Sequence, residues 1–186
     1  MKIGDQALAT VDSRKALLAK ILIGSIWEVT CINKYGKEKW KEINPNVCTA
    51  EGINALLDIM FHASTQITTW YILIFESDTT PADGTTYAVP VFTESTAYSE
   101  GNRQAFDEAA ASSKSITNSA SKAAFSINAT KTIYGGALVG GGTDADTKDD
   151  QAGGGTLFCA SKFGSSKSVE NGDTLNVQIT ITGADT

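Results

Sequence analysis

The chain has 186 residues, of which 41% are apolar and 19% are charged, and its formal net charge is −6. This length suits one domain that buries a core without disulfide bonds, and the apolar fraction excludes a disordered chain. Binding to a phosphate backbone depends on Lys and Arg, so 15 basic against 21 acidic residues exclude a protein that binds nucleic acid directly.

The chain begins with a predicted N-terminal arm, residues 1–23, ahead of a main domain that spans residues 24–186. Asp12 or Ser13 can cap a short amphipathic helix in this arm. Such a segment needs an apolar surface to lie on, either its own domain or a neighbouring subunit. The candidate interaction residues of the arm are Leu8, Val11, Leu17 and Leu18.

A β-hairpin is predicted to follow the arm. Residues 24–32 alternate with the period of two that is typical of a strand, and a second strand is expected over residues 38–43. Residues 33–36, Asn-Lys-Tyr-Gly, form the predicted turn between them. Trp27 and Trp40 are the large side chains of this hairpin.

The strongest helical pattern of the chain lies near residues 50–62, with Thr49 as its predicted N-cap. His62 comes at its C-terminal end, where a histidine interacts favourably with the helix dipole. The apolar face is wide enough to cover the end or side of a sheet. Its members recur at helical spacing and are Ile53, Leu56, Leu57, Met60 and Phe61.

The middle of the chain contains one nearly continuous apolar strand. Residues 68–76 are rich in aromatic and β-branched side chains, which predicts a central strand, and residues 77–84 form a loop. Residues 87–111 are expected to be a long excursion that ends in a strand near residues 104–109.

The last third of the chain is predicted to be β-structure. Strands are expected over residues 123–128, 130–139, 156–163 and 174–182, with a turn region at residues 164–172. Together with the preceding elements this gives seven to nine strands and one main helix. The sequence therefore predicts a mainly β protein, an antiparallel β-sandwich of jelly-roll-like form.

A glycine-rich acidic loop, residues 140–155, separates two of these strands. Its four carboxylates, on Asp144, Asp146, Asp149 and Asp150, are possible oxygen ligands for Ca²⁺. The spacing lacks the glycine and glutamate of an EF-hand loop, so the alternative is a solvated acidic loop, and no metal site is predicted. The same carboxylates would repel phosphate, which excludes a phosphate-binding loop.

No catalytic motif stands out. His62 is the only histidine, and a nucleophile such as Cys48 or Cys159 would need it within hydrogen-bonding reach. The three cysteines, with Cys31, contain no CxxC pair and are expected to be small buried side chains in a protein made in a reducing cytoplasm. We therefore expect no cofactor and no enzymatic activity, and no segment is apolar and long enough to span a membrane.

Aromatic side chains at alternating strand positions allow a carbohydrate platform as an alternative. Such residues more often serve as core or intersubunit anchors, and stacking alone does not discriminate between these roles. The residues in question are Trp27, Trp40, Trp70, Tyr71 and Phe75.

The order of elements over Trp27 to Thr182 resembles small virion structural proteins of tailed bacteriophages. The resemblance begins with WEVTCINKYGKEKWKEINPNVCTAEGINALLDIMF. It continues through TTWYILIFES, SITNSASKAAFSINAT and GTLFCASKF to the closing NGDTLNVQITIT. It implies a β-sandwich component of the phage particle and carries no catalytic or ligand-binding residues with it.

The resemblance leads to an expected function as a capsid decoration or cement protein that bridges and stabilises subunits of the major capsid protein. The expected partners are that capsid protein and the chain itself, as a homodimer or homotrimer on the virion surface after assembly in the host cytoplasm. The alternative is a tail, collar or fibre structural protein, with possible host-surface binding. A small hydrolase is the third hypothesis.

Overall fold

The computed structural model describes residues 21–185, and within this range the chain forms ten strands and one helix. The predicted mainly β, antiparallel sandwich with one main helix is confirmed. The strands are β1 (Ile21–Ile32), β2 (Glu38–Pro45), β3 (Val47–Cys48), β4 (Trp70–Phe75), β5 (Gln104–Ala105), β6 (Ser115–Thr117), β7 (Ala123–Ser126), β8 (Lys131–Gly140), β9 (Thr156–Val169) and β10 (Thr174–Asp185). The helix is α1 (Ala50–Phe61).

The strands form two antiparallel sheets. The first, which we call the open sheet, has the order β2–β1–β10, and β6 and β7 pair with different ends of the far side of β10. The second, which we call the covered sheet, has the order β3–β9–β8–β4–β5. The chain crosses between the sheets several times, so neighbouring strands are often distant in sequence.

The core of the sandwich lies between the two sheets. In the open sheet the alternation predicted from the sequence places Trp27, Val29 and Val177 on the inner face, where each is at most 1% exposed. Ile72 and Leu138 of the covered sheet belong to the same buried cluster as these residues. Packing of two inner faces therefore explains why these strands carry large apolar side chains at every second position.

The covered sheet is apolar on its outer face as well. Leu73, Phe75, Val139 and Leu157 point away from the open sheet and form a second buried cluster. This cluster is covered by the segment between β4 and β5, residues 76–103, which we call the covering loop. The nearly continuous apolar run of β4 follows from this burial on both sides.

Local signals in the sequence account for the hairpin and the helix start. Gly36 adopts a φ of 78°, as its place in the β1–β2 turn requires, and the Asn33 side chain accepts hydrogen bonds from the backbone N–H groups of Tyr35 and Lys37. The Thr49 side chain accepts a hydrogen bond from the Gly52 N–H, so the predicted N-cap is confirmed.

Three sequence expectations differ from the structure. The predicted turn region at residues 164–172 is wrong, because β9 continues to Val169 and pairs with β8 as far as Lys131. The strand expected at residues 104–109 is reduced to Gln104–Ala105. Residues 21–23, placed at the end of the arm, lie in β1 and pair with residues 183–185 of β10. Residues 164–169 of β9 contain glycine and several serines, whose low strand propensity led to the prediction of a turn there.

Candidate interaction surfaces

The outer face of the open sheet is exposed. Ile26 on β1 and Ile43 on β2 keep 54% and 59% of their surface exposed and flank Glu28, which bonds Lys41 and Lys122 at 3.0 and 2.9 Å. Threonine and amide side chains of β10 continue this face. A flat sheet face with an apolar patch and a polar surround is suited to contact with another protein surface.

Helix α1 lies against the covered sheet through a very close contact. A Cβ added to Gly52 would collide with the carbonyl group of Phe158, so only glycine allows this approach. The Glu51 carboxylate accepts hydrogen bonds from the backbone N–H groups of Leu157 and Tyr87 at 2.6 and 2.9 Å. These contacts fix the helix to β9 and to the covering loop.

The other side of α1 is only partly buried. Leu56 packs against the core, as its helical spacing predicts. Leu57, Met60 and Phe61 remain 49%, 64% and 81% exposed. The helix therefore covers part of one end of the sandwich and presents apolar side chains that the described residues do not bury.

An apolar groove of about 380 Å³ opens beside the helix, where the two sheets separate. We call it the end groove. The open sheet contributes Ile23, Ile116 and Ile181, the covered sheet Leu138, Trp70 and Phe158, and α1 the side chains of Leu56, Ile59 and Met60. Gln66 and Glu108 are polar side chains at its lining. The groove continues the sandwich core outward without being filled by residues 21–185.

A buried ion pair fastens the covering loop. Arg103 and Glu94 have side chains that are 2% and 4% exposed, and the closest of their contacts measures 2.6 Å. The remaining guanidinium donors bond the Tyr87 hydroxyl and the carbonyl oxygens of Ala145 and Asp150 at 2.9 to 3.0 Å. All N–H donors of the guanidinium are thereby satisfied, as a buried arginine requires.

Ionisation in this cluster is set by burial and by its neighbours. Burial raises the pKa of the Glu94 carboxyl, and the hydrogen bonds from Arg103 act in the opposite direction. Burial also raises the pKa of Tyr87 to about 12, with its hydrogen bond to Asp150 acting in the same direction. The tyrosine is therefore a neutral hydroxyl that bridges Arg103 and Asp150.

The four aspartates of the acidic loop each have a different hydrogen-bond partner. Asp150 accepts a hydrogen bond from the Tyr87 hydroxyl at 2.7 Å, and the Asp149 backbone N–H donates to Glu94. Asp146 accepts from the Asn102 side chain, and Asp144 from the Thr143 hydroxyl. Over residues 21–185, no three His, Cys, Asp or Glu side chains are grouped closely enough to hold a metal ion. The acidic loop is thus anchored to the covering loop by the carboxylates of Asp146 and Asp150 and by the backbone N–H of Asp149.

A polar cleft of about 400 Å³ lies between residues 65–69 and the start of the acidic loop. Hydroxyl, amide and carboxylate side chains line it, together with one aromatic ring, that of Tyr71. Gly141 and Gly142 bring backbone groups to its surface at positive φ values of 72° and 66°. Five aromatic residues were considered above as a possible carbohydrate platform. Two of them, Trp27 and Phe75, lie in the two buried clusters, and among the five only Tyr71 lines this cleft.

The candidate catalytic residues lie on different elements, His62 at the end of α1 and the two cysteines on β3 and β9. His62 is exposed at the C-cap of α1, where its backbone N–H bonds the Asp58 carbonyl. Cys48 and Cys159 face each other across β3 and β9 as free thiols. Burial raises the pKa of both Cys31 and Cys159 to about 12, so neither is a thiolate near neutral pH.

Reasoning from the sequence missed the most deeply buried charged pair and the end groove. The arm residues it selected, Leu8, Val11, Leu17 and Leu18, lie outside the described residues. Arg103 is one of two arginines in the chain and stands in an otherwise aromatic and threonine-rich stretch. Its neighbours Asn102 and Gln104 are polar, so the local sequence did not distinguish this arginine from an exposed one.

Comparison with known proteins gives one family. The model of the podophage GP4 fiber I protein gp80 family matches residues 49–183, which run from the N-cap of α1 to near the end of β10. A search of curated proteins finds no match. Within the described residues, no helix is long and apolar enough to cross a membrane. The family match covers most of the sandwich, and the expected tailed-phage structural protein is confirmed. This chain belongs to the podophage GP4 fiber I protein gp80 family.

Proposed function

We propose that this chain is a structural subunit of a podophage fibre. The single observation that carries the proposal is the family match over residues 49–183, because it covers α1 and the strands β4 to β10 and not a short motif. This favours the alternative of a tail, collar or fibre protein over the capsid decoration protein that the resemblance first led us to expect. Attachment to the major capsid protein stays a competing hypothesis.

The surfaces of the sandwich suit a subunit that is held by neighbours. The exposed isoleucines of the open sheet and the exposed apolar side chains of α1 lie on different elements, so one copy can contact more than one partner. Repeated contacts of modest strength add up when subunits are arranged in an assembly. We propose that the chain itself is among these partners, as a homodimer or homotrimer.

We propose that the chain is not an enzyme. Burial keeps the thiols of Cys31 and Cys159 protonated, and the exposed imidazole of His62 lies at the C-terminal end of α1. General-base catalysis needs a nucleophile held within about 3 Å of the base. A turnover of peptide or polysaccharide substrates that is lost in His62→Ala would contradict this part of the proposal.

Gold-labelled antibodies against the purified chain test its place in the particle. On intact virions we expect gold at the fibres and not over the head. Gold distributed regularly over the head would support the capsid decoration hypothesis instead. Antibodies against the major capsid protein, applied to the same preparation, provide the control for access to the head surface.

Host-surface binding is a second candidate function, and the polar cleft favours it. Sugars bind where an aromatic ring lies beside several hydrogen-bonding groups, and Tyr71 with Gln66 and Asp146 provides this combination. Binding of the purified chain to host cell-surface glycans, measured for the parent chain and for Tyr71→Ala, tests it. Equal binding of both chains, or none by either, would contradict this candidate and leave the fibre role standing.

A further inference from the structure

We propose that the end groove is the binding site of this chain's own N-terminal segment, residues 1–20, whose apolar side chains complete the sandwich core. The groove is lined by apolar side chains from both sheets and from α1. Burial of such a surface by an apolar segment is favourable by about 25 cal/mol per Å². The identity of the occupant follows from chain continuity, length and charge.

Continuity places the segment beside the groove. The described chain begins with β1 at Ile21, and Ile23, two residues further, is part of the groove lining. Ile21 itself lines an adjoining cavity of about 320 Å³ with Lys114, Gly183 and Ala184. Residues 1–20 therefore join the domain at the mouth of the groove, and a short reversal of direction brings them into it.

The segment is long enough to reach every part of the groove. Twenty residues span about 30 Å as a helix and up to about 66 Å when extended. Leu8 and Leu18 are ten residues apart, which corresponds to about 15 Å if the segment is helical. Residues 1–20 are therefore long enough to bind the end groove of the same chain.

The chemistry of the segment matches that of the groove. Leu8, Val11, Leu17 and Leu18 supply branched apolar side chains, as the groove lining does. Residues 1–20 contain four basic and two acidic side chains, which gives them a charge of +2 and leaves −8 on the remaining residues. Glu108 at the groove lining is part of that negative surface. The basic segment is therefore attracted to the acidic remainder of the chain, and Glu108 places one of those negative charges at the groove.

The same segment from a second copy would have the same chemistry. The segment of the same chain is favoured because it is covalently joined at the mouth of the groove and has a millimolar effective concentration there. Dilution separates the two cases, since only binding between copies weakens as the protein is diluted.

Hydrogen exchange in the full chain, followed by mass spectrometry, tests the proposal. The first variant, Leu17→Asp with Leu18→Asp, adds two charges to the apolar stripe, and its control, Thr10→Asp with Ser13→Asp, adds the same charges at polar positions. Peptides that cover residues 66–70 and 181–183 report on the groove. We expect exchange there to become at least about tenfold faster in the first variant and to stay unchanged in the control.

A substitution on the groove side gives an independent readout. Met60 is 64% exposed, so Met60→Asp leaves the fold intact while placing a charge in the groove. We expect it to accelerate exchange in peptides from residues 8–18, whereas Tyr35→Asp, at the exposed hairpin tip, leaves them unchanged. Equal exchange in variants and controls would overturn the proposal. Protection that falls on tenfold dilution of the parent chain would also overturn it and assign the groove to a second copy.

Discussion

The two sheets of this protein differ in what lies on their outer faces. The covered sheet has the covering loop on its outer side, and Phe92 of that loop stacks on Phe75 with ring centroids 4.8 Å apart. The open sheet presents Ile26 and Ile43 to solvent. The fold therefore buries both faces of the covered sheet, whereas the open sheet is buried on its inner face and keeps apolar side chains exposed on its outer face.

The ion pairs on the two sides of the sandwich also differ in burial. Arg103 and Glu94, which fasten the covering loop, are almost fully buried, whereas Glu28 and Lys122 on the open sheet have side chains that are 24% and 35% exposed. A buried pair is costly to break, and an exposed pair contributes little. Substitutions on the two sides of the sandwich are therefore expected to differ in their effect on stability.

The largest effect is expected for Arg103→Met. It leaves the buried Glu94 carboxylate without its main partner, so we expect the free energy of unfolding to fall by about 3–5 kcal/mol in denaturant titrations. The matched change on the open sheet, Lys122→Met, should cost at most about 1 kcal/mol. Combining Arg103→Met with Glu94→Leu should recover much of the loss, because no buried charge is then left unpaired. Similar losses for Arg103→Met and Lys122→Met would remove the distinction between the sheets.

A smaller effect is expected from Gly136→Ala in β8 of the covered sheet. The added Cβ would lie 2.6 Å from the Trp27 ring and 2.8 Å from the Leu73 carbonyl oxygen, so the two sheets must move apart. We expect a loss of about 1–3 kcal/mol in thermal or denaturant unfolding. Gly24→Ala in β1 of the open sheet has no atom within 4 Å of the new Cβ and serves as the control. A neutral Gly136→Ala would contradict the tight packing inferred for β8.

Helix α1 joins the two regions, and its N-cap is expected to matter by about 1 kcal/mol. Thr49→Ala removes the acceptor for the Gly52 N–H and the hydroxyl that donates to the Leu157 carbonyl. Unfolding should shift to lower denaturant concentration with an unchanged slope. Thr69→Ala, at an exposed position before β4, provides a control that should leave the midpoint in place.

The smallest effect is a loss of stability in acid. Burial of Asp173 opposes its ionisation, but the hydrogen bonds from Lys39 and the Glu170 backbone lower its pKa below the usual value. A carboxyl whose pKa is lower in the folded state stabilises it above the unfolded pKa of about 3.9, and this contribution disappears as the pH falls further. We expect the unfolding midpoint to fall below about pH 4. Asp173→Asn should flatten this dependence, and an unchanged slope would contradict the assignment.

Local patterns predicted most of the open sheet. The alternation over residues 174–182 placed Leu175, Val177 and Ile179 on one face, and all three are fully buried. The Asn33–Gly36 turn and the Thr49 cap were also predictable, because each depends on residues next to one another in the chain.

The covered sheet was harder to predict, because its contacts are non-local. Arg103 forms an ion pair with Glu94 and donates hydrogen bonds to carbonyl groups of the acidic loop, which follows more than 40 residues later in the chain. The periodicity of apolar residues does not predict contacts of this kind. Gly135 and Gly136, inside β8, weaken the strand signal although close packing against Phe75 and Trp27, respectively, requires them. The end groove was not predictable either, since its walls come from elements throughout the chain.

Cryo-electron microscopy of intact particles provides a direct test of the fibre role. We expect density for this two-sheet sandwich within the fibres, with the outer face of the open sheet, including Ile26 and Ile43, against a neighbouring subunit. Density for the sandwich on the capsid lattice, or in a fibre with the open sheet facing only solvent, would contradict it.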